Sequence, residues 1–469
     1  MNTYSHKLGA ALTFNKQLLL SIILLVVGFS KAQNADSLQL RKLYDYYLSQ
    51  SKCYGNLQHL CKKVGGRISG SPQAGQAVQW AKTAMYAAGA DTVILQPCMV
   101  PHWVRGKKEK CQYEVGGKIM SVSCVALGSS VGTGPKGLKA KVLEVKSFEE
   151  LERLSEKEVK GKIVFYNVFF EQKHVRTGQA YGEAVKYRGR GASYAAKYGA
   201  VAVLVRSMTS VADDEPHTGN MNYDTSISKT KIPALAIGYI SADNLLRDLN
   251  QNKQLEVYLE MHCETLPDVL SYNVIGQING TEKPNEFIIT GGHLDSWDNG
   301  EGAHDDGAGV VQSIEVLAAF KALGIKPKHS IRAVAFMNEE NGLAGGKAYA
   351  KAAKEKGEIH LAALETDAGG YTPRGFGVDT TNGLYKKVLS WKPLFTPYYV
   401  DRISEGGGGA DISELDKAGV PCIGFEPDTQ RYFDIHHTAE DTFDKINKRE
   451  LELGAGGIGA LLYLIDRYY

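Results

Sequence analysis

Imidazole and carboxylate side chains are concentrated in the segment FIITGGHLDSWDNGEGAHDDGAG, from Phe287 to Gly309. The segment opens with apolar and β-branched residues that predict a buried strand, and apolar residues at helical spacing follow it. The polar cluster therefore lies where a strand ends and a helix begins, which is where open α/β sheets bind ligands. Its mixture of imidazoles and carboxylates suits zinc better than calcium or magnesium, which prefer oxygen ligands. The cluster comprises His293, Asp295, Asp298, Glu301, His304, Asp305 and Asp306.

Further segments repeat this pattern of a buried strand followed by acids or histidines. Strands are predicted at 332–337 and 361–364, and each runs directly into carboxylates. Solvated loop acids are the alternative interpretation, but acids at the ends of buried strands need partners. If the strands are parallel, their carboxyl ends meet at one edge of the sheet, which makes a shared metal site the economical interpretation. The residues concerned are Glu339, Glu340, Glu365, Asp367, His436 and His437.

The tandem pair Glu339 and Glu340 suggests a division of roles. Neighbours on an extended chain point to opposite sides, so one carboxylate can bind metal while the other carries a proton. A metallohydrolase needs both functions. Asp295 lies two residues beyond His293, a spacing that allows it to accept the second imidazole N–H and fix the tautomer.

The elements that would position these groups alternate along the chain. Strands predicted near 272–278, 287–290, 332–337, 361–364 and 420–425 are separated by helices at 306–323, 343–356, 411–418 and 448–467. This alternation predicts an α/β fold with a mostly parallel sheet between layers of helices. We expect four segments: a signal peptide at 1–32, the N-terminal part of the main domain at 33–130, a smaller inserted β/α domain at 131–262, and the catalytic part at 263–469. The insert shows no clustered chemistry and is interpreted as non-catalytic.

The sequence resembles the carboxypeptidase Q family of di-zinc exopeptidases, which is related to the zinc aminopeptidases. The likeness covers nearly all of the chain after residue 32. GGRISGSP (Gly65–Pro72) is similar to the N-terminal part of that family, and GKIVFYN and AAKYGAVAVLV resemble its inserted protease-associated domain. The segments that carry the likeness most strongly are GGHLDSWD (Gly291–Asp298), GAHDDGAG (Gly302–Gly309), NEENG (Asn338–Gly342), ETDAGG (Glu365–Gly370) and HHTAEDT (His436–Thr442).

The resemblance implies a ligand set for two zinc ions. His293 and His437 would be terminal ligands, one on each ion, and Asp305 would bridge the two. Glu340 and Asp367 would complete the two coordination shells. Between the adjacent histidines, His437 is chosen because it directly precedes Thr438, as in the family motif.

The resemblance also implies the reaction. A metal-bound hydroxide would attack a peptide carbonyl, with Glu339 as general base and acid and with Asp295 supporting His293. His304 receives no ligand role and is interpreted as a loop histidine. A homodimer is implied as well.

Charge and hydrophobicity exclude other classes of partner. The formal net charge is +2, and the first 32 residues carry three of the 54 basic residues and no acid, which leaves 51 basic against 52 acidic residues. This balance does not favour nucleic acid or an anionic membrane. The lysines near the start, an apolar run at 18–29 and the small residues Ser30 and Ala32 predict a cleaved export signal. The mature protein is therefore expected in a periplasm or outside the cell, without a membrane span.

The sequence thus predicts an exported di-zinc metallo-exopeptidase that hydrolyses dipeptides or short peptides. A broad aminopeptidase acting on longer peptides is the nearest alternative. A binding ectodomain on the same fold would be expected to lack a ligand or the base, and this chain keeps them all. The glycine loop Gly406–Gly409 is either a simple connection or room for a substrate terminus near Asp411. The seven scattered cysteines reveal no pairing.

Overall fold

The protein is described by a computed structural model that covers residues 35–469. The predicted signal peptide at 1–32 lies outside the described residues. The helices, in chain order, are α1 (35–50), α2 (Cys53–His59), α3 (Pro72–Ala87), α4 (Phe148–Arg153), α5 (Glu156–Val159), α6 (Thr177–Lys197), α7 (Tyr239–Gln251), α8 (Ala308–Ala322), α9 (Ala344–Lys356), α10 (Leu384–Ser390), α11 (Lys392–Phe395), α12 (Ser413–Lys417), α13 (Tyr432–Ile435) and α14 (Lys448–Tyr468).

The strands form two sheets. In chain order they are β1 (Thr92–Val104), β2 (Lys110–Val115), β3 (Lys118–Ser121), β4 (Cys124–Ala126), β5 (Leu138–Val145), β6 (Ile163–Tyr166), β7 (Ala202–Arg206), β8 (Ala234–Ile237), β9 (Glu256–Glu260), β10 (Glu264–Ile278), β11 (Lys283–His293), β12 (His329–Phe336), β13 (Ile359–Glu365), β14 (Pro373–Val378), β15 (Arg402–Glu405) and β16 (Cys422–Pro427).

The larger sheet has the order β1-β10-β12-β11-β13-β16-β14-β15. Its centre, β12-β11-β13-β16, is parallel. The strands β1 and β10 on one side and β14 on the other pair in the antiparallel sense. Every residue of β12 is buried, as expected for a central strand covered on both faces. The predicted α/β fold is therefore confirmed, with a parallel centre and antiparallel flanks.

Helices cover both faces of this sheet. Successive residues of β11 point to opposite sides, so Ile288 packs into the hydrophobic core that contains α8 and α14, while Ile289 packs into the core that contains α9 and α12. Helix α8 is buried along most of its length, which explains why its sequence is apolar all round.

The carboxyl ends of the four parallel strands lie at one edge of the sheet. β11 ends at His293 and β13 ends at Glu365, so the candidate residues that follow each strand meet at that edge. The sequence-based expectation that the polar clusters share one edge is confirmed. This edge is where ligands bind in parallel α/β sheets.

The smaller sheet has the order β3-β2-β9-β5-β6-β7-β8-β4. Its strands run from Lys110 in β2 to Glu260 in β9, so the predicted insert at 131–262 lies within this layer but omits β2, β3 and β4. These strands join the layer because β2 pairs with β9, with Tyr113 opposite Val257. Local sequence patterns do not predict pairing between strands that are so far apart in the chain.

The two layers meet at the edge that carries the polar clusters. The ring of Trp297 packs against Gly128, where a Cβ atom would lie 1.9 Å from the ring. Beside it, Arg105 forms an ion pair with Asp298 at 2.6 Å, and Trp103 makes an edge-to-face contact with Trp297. The smaller layer therefore covers the region where the candidate ligands converge.

The described part of the chain also bears on membrane spans and on cysteine pairing. Across residues 35–469, no helix has the length and apolar character needed to cross a membrane. The seven cysteines all lie among the described residues and are free thiols.

Candidate metal centre

The carboxylate of Asp305 lies between two imidazoles. Its Oδ1 is 3.1 Å from Nε2 of His293, and its Oδ2 is 3.1 Å from Nε2 of His437. The carboxylate is buried within the protein. One carboxylate that presents a different oxygen to each imidazole has the geometry of a bridge between two cations.

Each imidazole has a second carboxylate at similar distance. Nε2 of His293 is 3.6 Å from Oδ1 of Asp367, and Nε2 of His437 is 3.2 Å from Oε2 of Glu340. The structure therefore brings together the five predicted ligands, in two sets that share Asp305.

These distances fit zinc. In a tetrahedral site with ligands at about 2.0–2.1 Å, neighbouring ligand atoms lie about 3.3–3.4 Å apart, close to the separations of the two sets. In addition, Oδ2 of Asp305, Oε1 of Glu340 and Oδ1 of Asp367 are buried without a hydrogen-bond partner among residues 35–469. Buried carboxylate oxygens need a partner, and a cation shared within each set would supply it.

The outer nitrogens of the two imidazoles contact main-chain carbonyls. Nδ1 of His293 is 2.9 Å from the carbonyl oxygen of Asp295, and Nδ1 of His437 is 3.3 Å from that of Thr218. If Nδ1 donates in each ring, Nε2 carries the lone pair that a metal requires. Thr218 belongs to the smaller layer and was not identified from the sequence.

The imidazole of His293 contacts the main-chain carbonyl of Asp295 and not, as was predicted, its carboxylate. Oδ1 of Asp295 is 4.0 Å from Nδ1 of His293. That oxygen instead accepts hydrogen bonds from the main-chain N–H groups of Asn338 and Glu339, at 2.7 and 3.1 Å. Asp295 therefore supports the imidazole through its backbone, and its side chain holds the turn that carries Glu339.

Two other buried carboxylates hold main-chain N–H groups next to candidate ligands. Asp441 accepts from His304 and Asp305, at 2.8 and 3.1 Å. Asp306 accepts from His293 at 3.1 Å with one oxygen and from Gly309 with the other. Asp441 was not identified as functional from the sequence, although it lies within the HHTAEDT segment.

A buried arginine ties the loop after β11 together. Arg67 donates to the carbonyl oxygens of Leu294, Glu301 and Gly302. Arg67 lies in the GGRISGSP segment, but the sequence does not reveal its role, because its contacts join parts of the chain that are far apart in sequence.

Glu339 and Glu340 lie in a turn after β12 and not on an extended chain, contrary to expectation. β12 ends at Phe336, and Asn338, two residues later, has a left-handed φ of 74°. The two carboxylates nevertheless occupy separate positions. Glu340 faces His437, and half-buried Glu339 lines the adjoining cavity. Burial raises the pKa of Glu339 well above its usual range, so this carboxyl can hold a proton.

The other histidines of the two motifs take different positions. His436 stacks on His437, and its Nε2 is 3.5 Å from Oδ2 of Asp305, farther than that of His437. His304 accepts a hydrogen bond from the main-chain N–H of Gly370. Burial lowers the pKa of His304 to about 4, which keeps it a neutral loop histidine.

The glycine loop Gly406–Gly409 packs against buried groups. A Cβ atom on Gly409 would lie 2.1 Å from the carboxyl carbon of Glu365. Glu365 accepts a hydrogen bond from the main-chain N–H of Ile412, and the Asp411 side chain is buried beside it. The glycines thus allow a close approach of two chain segments, which favours the structural interpretation of this loop.

A cavity of about 310 Å³ opens beside the ligand sets. Its walls come from both layers, so three residues within 131–262 line the cavity although the sequence did not single them out. The larger layer contributes Asp305, Glu339, Glu340, Asp367, Tyr432, Phe433, His436 and His437, and the smaller layer contributes Tyr181, Arg188 and Asn220.

The site concentrates negative charge. Burial raises the pKa of Glu340 to about 7, and the charge of Asp305 adds to the shift. Burial alone would lower the pKa of His437, but Glu340 and Asp305 reverse this effect and raise it to about 10. The protein's own groups therefore do not stabilise all of these carboxylates as anions, which is the electrostatic character of a cation site.

Comparisons with known proteins give a consistent result. The model of peptidase family M28 matches residues 273–458. Carboxypeptidase Q of Mus musculus is 35% identical over 419 residues, which cover 89% of this chain and 86% of the relative. A solved peptidase M28 precursor from Shewanella amazonensis has a TM-score of 0.88 and 33% identity, over 92% of this chain and 97% of that chain.

A more distant likeness is to a zinc aminopeptidase from Bacillus subtilis, with a TM-score of 0.63 and 20% identity over 89% of this chain and 95% of that chain. At this identity the likeness concerns the fold. The two closer likenesses extend well beyond residues 273–458 and into the smaller layer.

Zinc binding is expected to release protons and to strengthen as the pH rises from about 5.5 to about 7.5. The reason is that zinc competes with protons for Glu340 and His437, whose pKa values in the metal-free site are about 7 and about 10. Calorimetry in buffers of different ionisation enthalpy measures the protons released. Glu340→Gln should release fewer protons at neutral pH, and a zinc affinity independent of pH would contradict this account.

Asp441→Ala is expected to weaken zinc binding about 10–100-fold, as loss of outer-shell support does in other metal sites. The substitution removes the acceptor of the N–H groups of His304 and Asp305, so the Asp305 carboxylate loses its orientation. Competition with a chromophoric chelator measures the affinity. Asp444→Asn, at a nearby exposed acid, is the matched control and should bind zinc normally. Equal affinities in the two variants would refute the role of Asp441.

Proposed function

Since the chain belongs to peptidase family M28 and is a zinc metallo-exopeptidase, we propose that it holds two zinc ions and hydrolyses dipeptides or short peptides. The observation that carries the proposal is the position of Asp305, whose two oxygens face two different imidazoles at the same distance of 3.1 Å. A site for a single ion needs only one of these contacts.

The proposed assignment follows the two sets of side chains. His293 and Asp367 hold one ion, His437 and Glu340 hold the other, and Asp305 bridges them. His437 is preferred over His436 because it alone lies close to both Asp305 and Glu340. The three carboxylates and one hydroxide balance the charge of two divalent zinc ions.

Proton transfer is assigned to Glu339. When bound, the zinc ions would polarise the peptide carbonyl and acidify a water molecule. Glu339 lines the cavity next to both ligand sets, where a carboxylate can take a proton from water and pass it to the leaving amine. The Asp295 carboxylate fixes the main chain of Glu339 and so sets the position of this base.

The size of the cavity favours short substrates over long ones. Residues of both layers line a cavity of about 310 Å³, which is at the lower end of the range for small-molecule sites. A broad aminopeptidase acting on longer peptides is the second candidate, and the likeness of the fold to a zinc aminopeptidase is its support. A binding ectodomain is disfavoured, because the full ligand set and the base are retained.

Export and assembly are also part of the proposal. The lysines and apolar run within residues 1–32 support export to a periplasm or to the exterior, with the signal removed. A homodimer follows from the resemblance to the carboxypeptidase Q family.

Glu339→Gln is expected to lower kcat for an apolar dipeptide by about 10²–10⁴-fold, the usual contribution of a general base. The amide cannot accept the proton from water, while the zinc ligands are untouched. Turnover is measured together with zinc content by elemental analysis. Glu355→Gln, at an exposed glutamate of α9, serves as the control. Near-normal turnover by a fully zinc-loaded Glu339→Gln protein would show that another group is the base.

A further inference from the structure

Arg188 is a buried cation without an acidic partner. It lies on α6 of the smaller layer, the residue is 7% exposed, and it lines the cavity beside the ligand sets. Across residues 35–469 its guanidinium forms no ion pair, and its Nε has no hydrogen-bond partner. A buried charge without a counter-charge is costly. The Arg188 guanidinium is therefore suited to bind an anion that a ligand supplies.

The neutral contacts of Arg188 leave its charge uncompensated but fix its position. Nη2 donates to the hydroxyl of Tyr181 at 2.7 Å, and Nη1 lies 3.4 Å from the carbonyl oxygen of Thr218. The guanidinium also lies over the ring of Tyr181, 5.4 Å from its centroid. An arginine held in this way presents a planar fork of donors, the arrangement that binds a carboxylate with two hydrogen bonds.

Arg188 lies next to one of the proposed zinc ligands. Nη1 is 3.4 Å from Nδ1 of His437, and Nε2 on the other side of that ring faces Asp305 and Glu340. The guanidinium is thus one imidazole ring away from the atoms proposed to bind zinc. In a peptide, the C-terminal carboxylate belongs to the residue that follows the last peptide carbonyl, and consecutive Cα atoms are about 3.8 Å apart, so a group that binds this carboxylate has to lie close to the metal site.

We propose that Arg188 binds the C-terminal carboxylate of the substrate, so that the enzyme cleaves the last peptide bond and reads the C-terminus. This inference rests on the proposed exopeptidase function and adds the terminus that is recognised. The name of the carboxypeptidase Q relative agrees with this direction of cleavage.

The neighbours of Arg188 suit an apolar C-terminal residue. The rings of Tyr181 and Phe433 stack with centroids 4.8 Å apart, and both line the same cavity as Tyr432. Asn220 adds a polar group to this wall, and its Oδ1 accepts a hydrogen bond from Ser129, which leaves its amide N–H groups as donors for the second carboxylate oxygen.

The test compares alanyl-leucine with its N-acetylated and C-amidated forms, using the zinc-loaded full chain. The native protein should cleave the free and acetylated dipeptides and should cleave the amide at least about 30-fold less efficiently in kcat/KM, as expected when one member of a buried charge pair is removed. Arg188→Gln should lower kcat/KM for free alanyl-leucine by a similar factor, mainly through KM, and should leave cleavage of the amide nearly unchanged. Arg188→Lys, which keeps the charge but not the fork, should lie between them.

Controls separate binding from folding. Arg190→Gln changes an exposed arginine on the same helix, which pairs with Asp224 at the surface, and should cleave all three forms normally. Zinc content and thermal unfolding of each variant show whether the site near His437 is intact. The difference between the acid and amide substrates is measured within one variant, so partial misfolding cannot produce it.

Three results would overturn the proposal. The first is equal cleavage of the acid and the amide by the native protein. The second is an Arg188→Gln variant that loses both to the same extent. Cleavage of alanyl-glutamic acid α-amide in place of alanyl-leucinamide would assign Arg188 to a side-chain carboxylate and would also reject the terminal role. If the native zinc-loaded protein cleaves none of the dipeptides, the proposed exopeptidase function fails first, an outcome distinct from these three.

Discussion

The interaction on which the rest of the structure depends is the placement of the Asp305 carboxylate between two imidazoles. It requires the carboxyl end of β11, which carries His293, and the loop that carries His437 to meet at one point. The parallel centre of the larger sheet makes this possible, because it brings the ends of neighbouring strands to one edge. The helices on both faces keep that centre buried and rigid.

A cluster of buried acids is costly unless each has a partner. The structure solves this problem in two ways. The carboxylates of Asp295, Asp306 and Asp441 accept main-chain N–H groups and thereby hold the backbone of neighbouring candidate ligands. The carboxylates of Asp305, Glu340 and Asp367, which face the imidazoles, each retain one unpartnered oxygen among residues 35–469, and these three residues are assigned to zinc. Acids that position and acids that bind are thus different residues with different partners.

Much of the fold and of the site follows from local sequence. Buried strands followed by acids or histidines predicted both the sheet and the edge at which the ligands converge, because a strand and the residue after it are adjacent in the chain. Contacts between distant segments left no such signal. Arg188 and Thr218 reach the site only through the packing of the two layers, so sequence reasoning missed the contribution of the smaller layer. Arg67 was missed because its contacts join distant parts of the chain. The sequence also could not show which oxygen of Asp295 contacts His293, because the main-chain carbonyl and the side-chain carboxylate belong to the same residue.

The central claim is that Asp305 bridges two zinc ions, and anomalous diffraction at the zinc absorption edge from crystals of the zinc-loaded protein tests it most directly. The account predicts two anomalous peaks, one between His293 and Asp367 and one between His437 and Glu340, with an Asp305 oxygen next to each. A single peak, or a second peak held by His436 or away from Asp305, would contradict it.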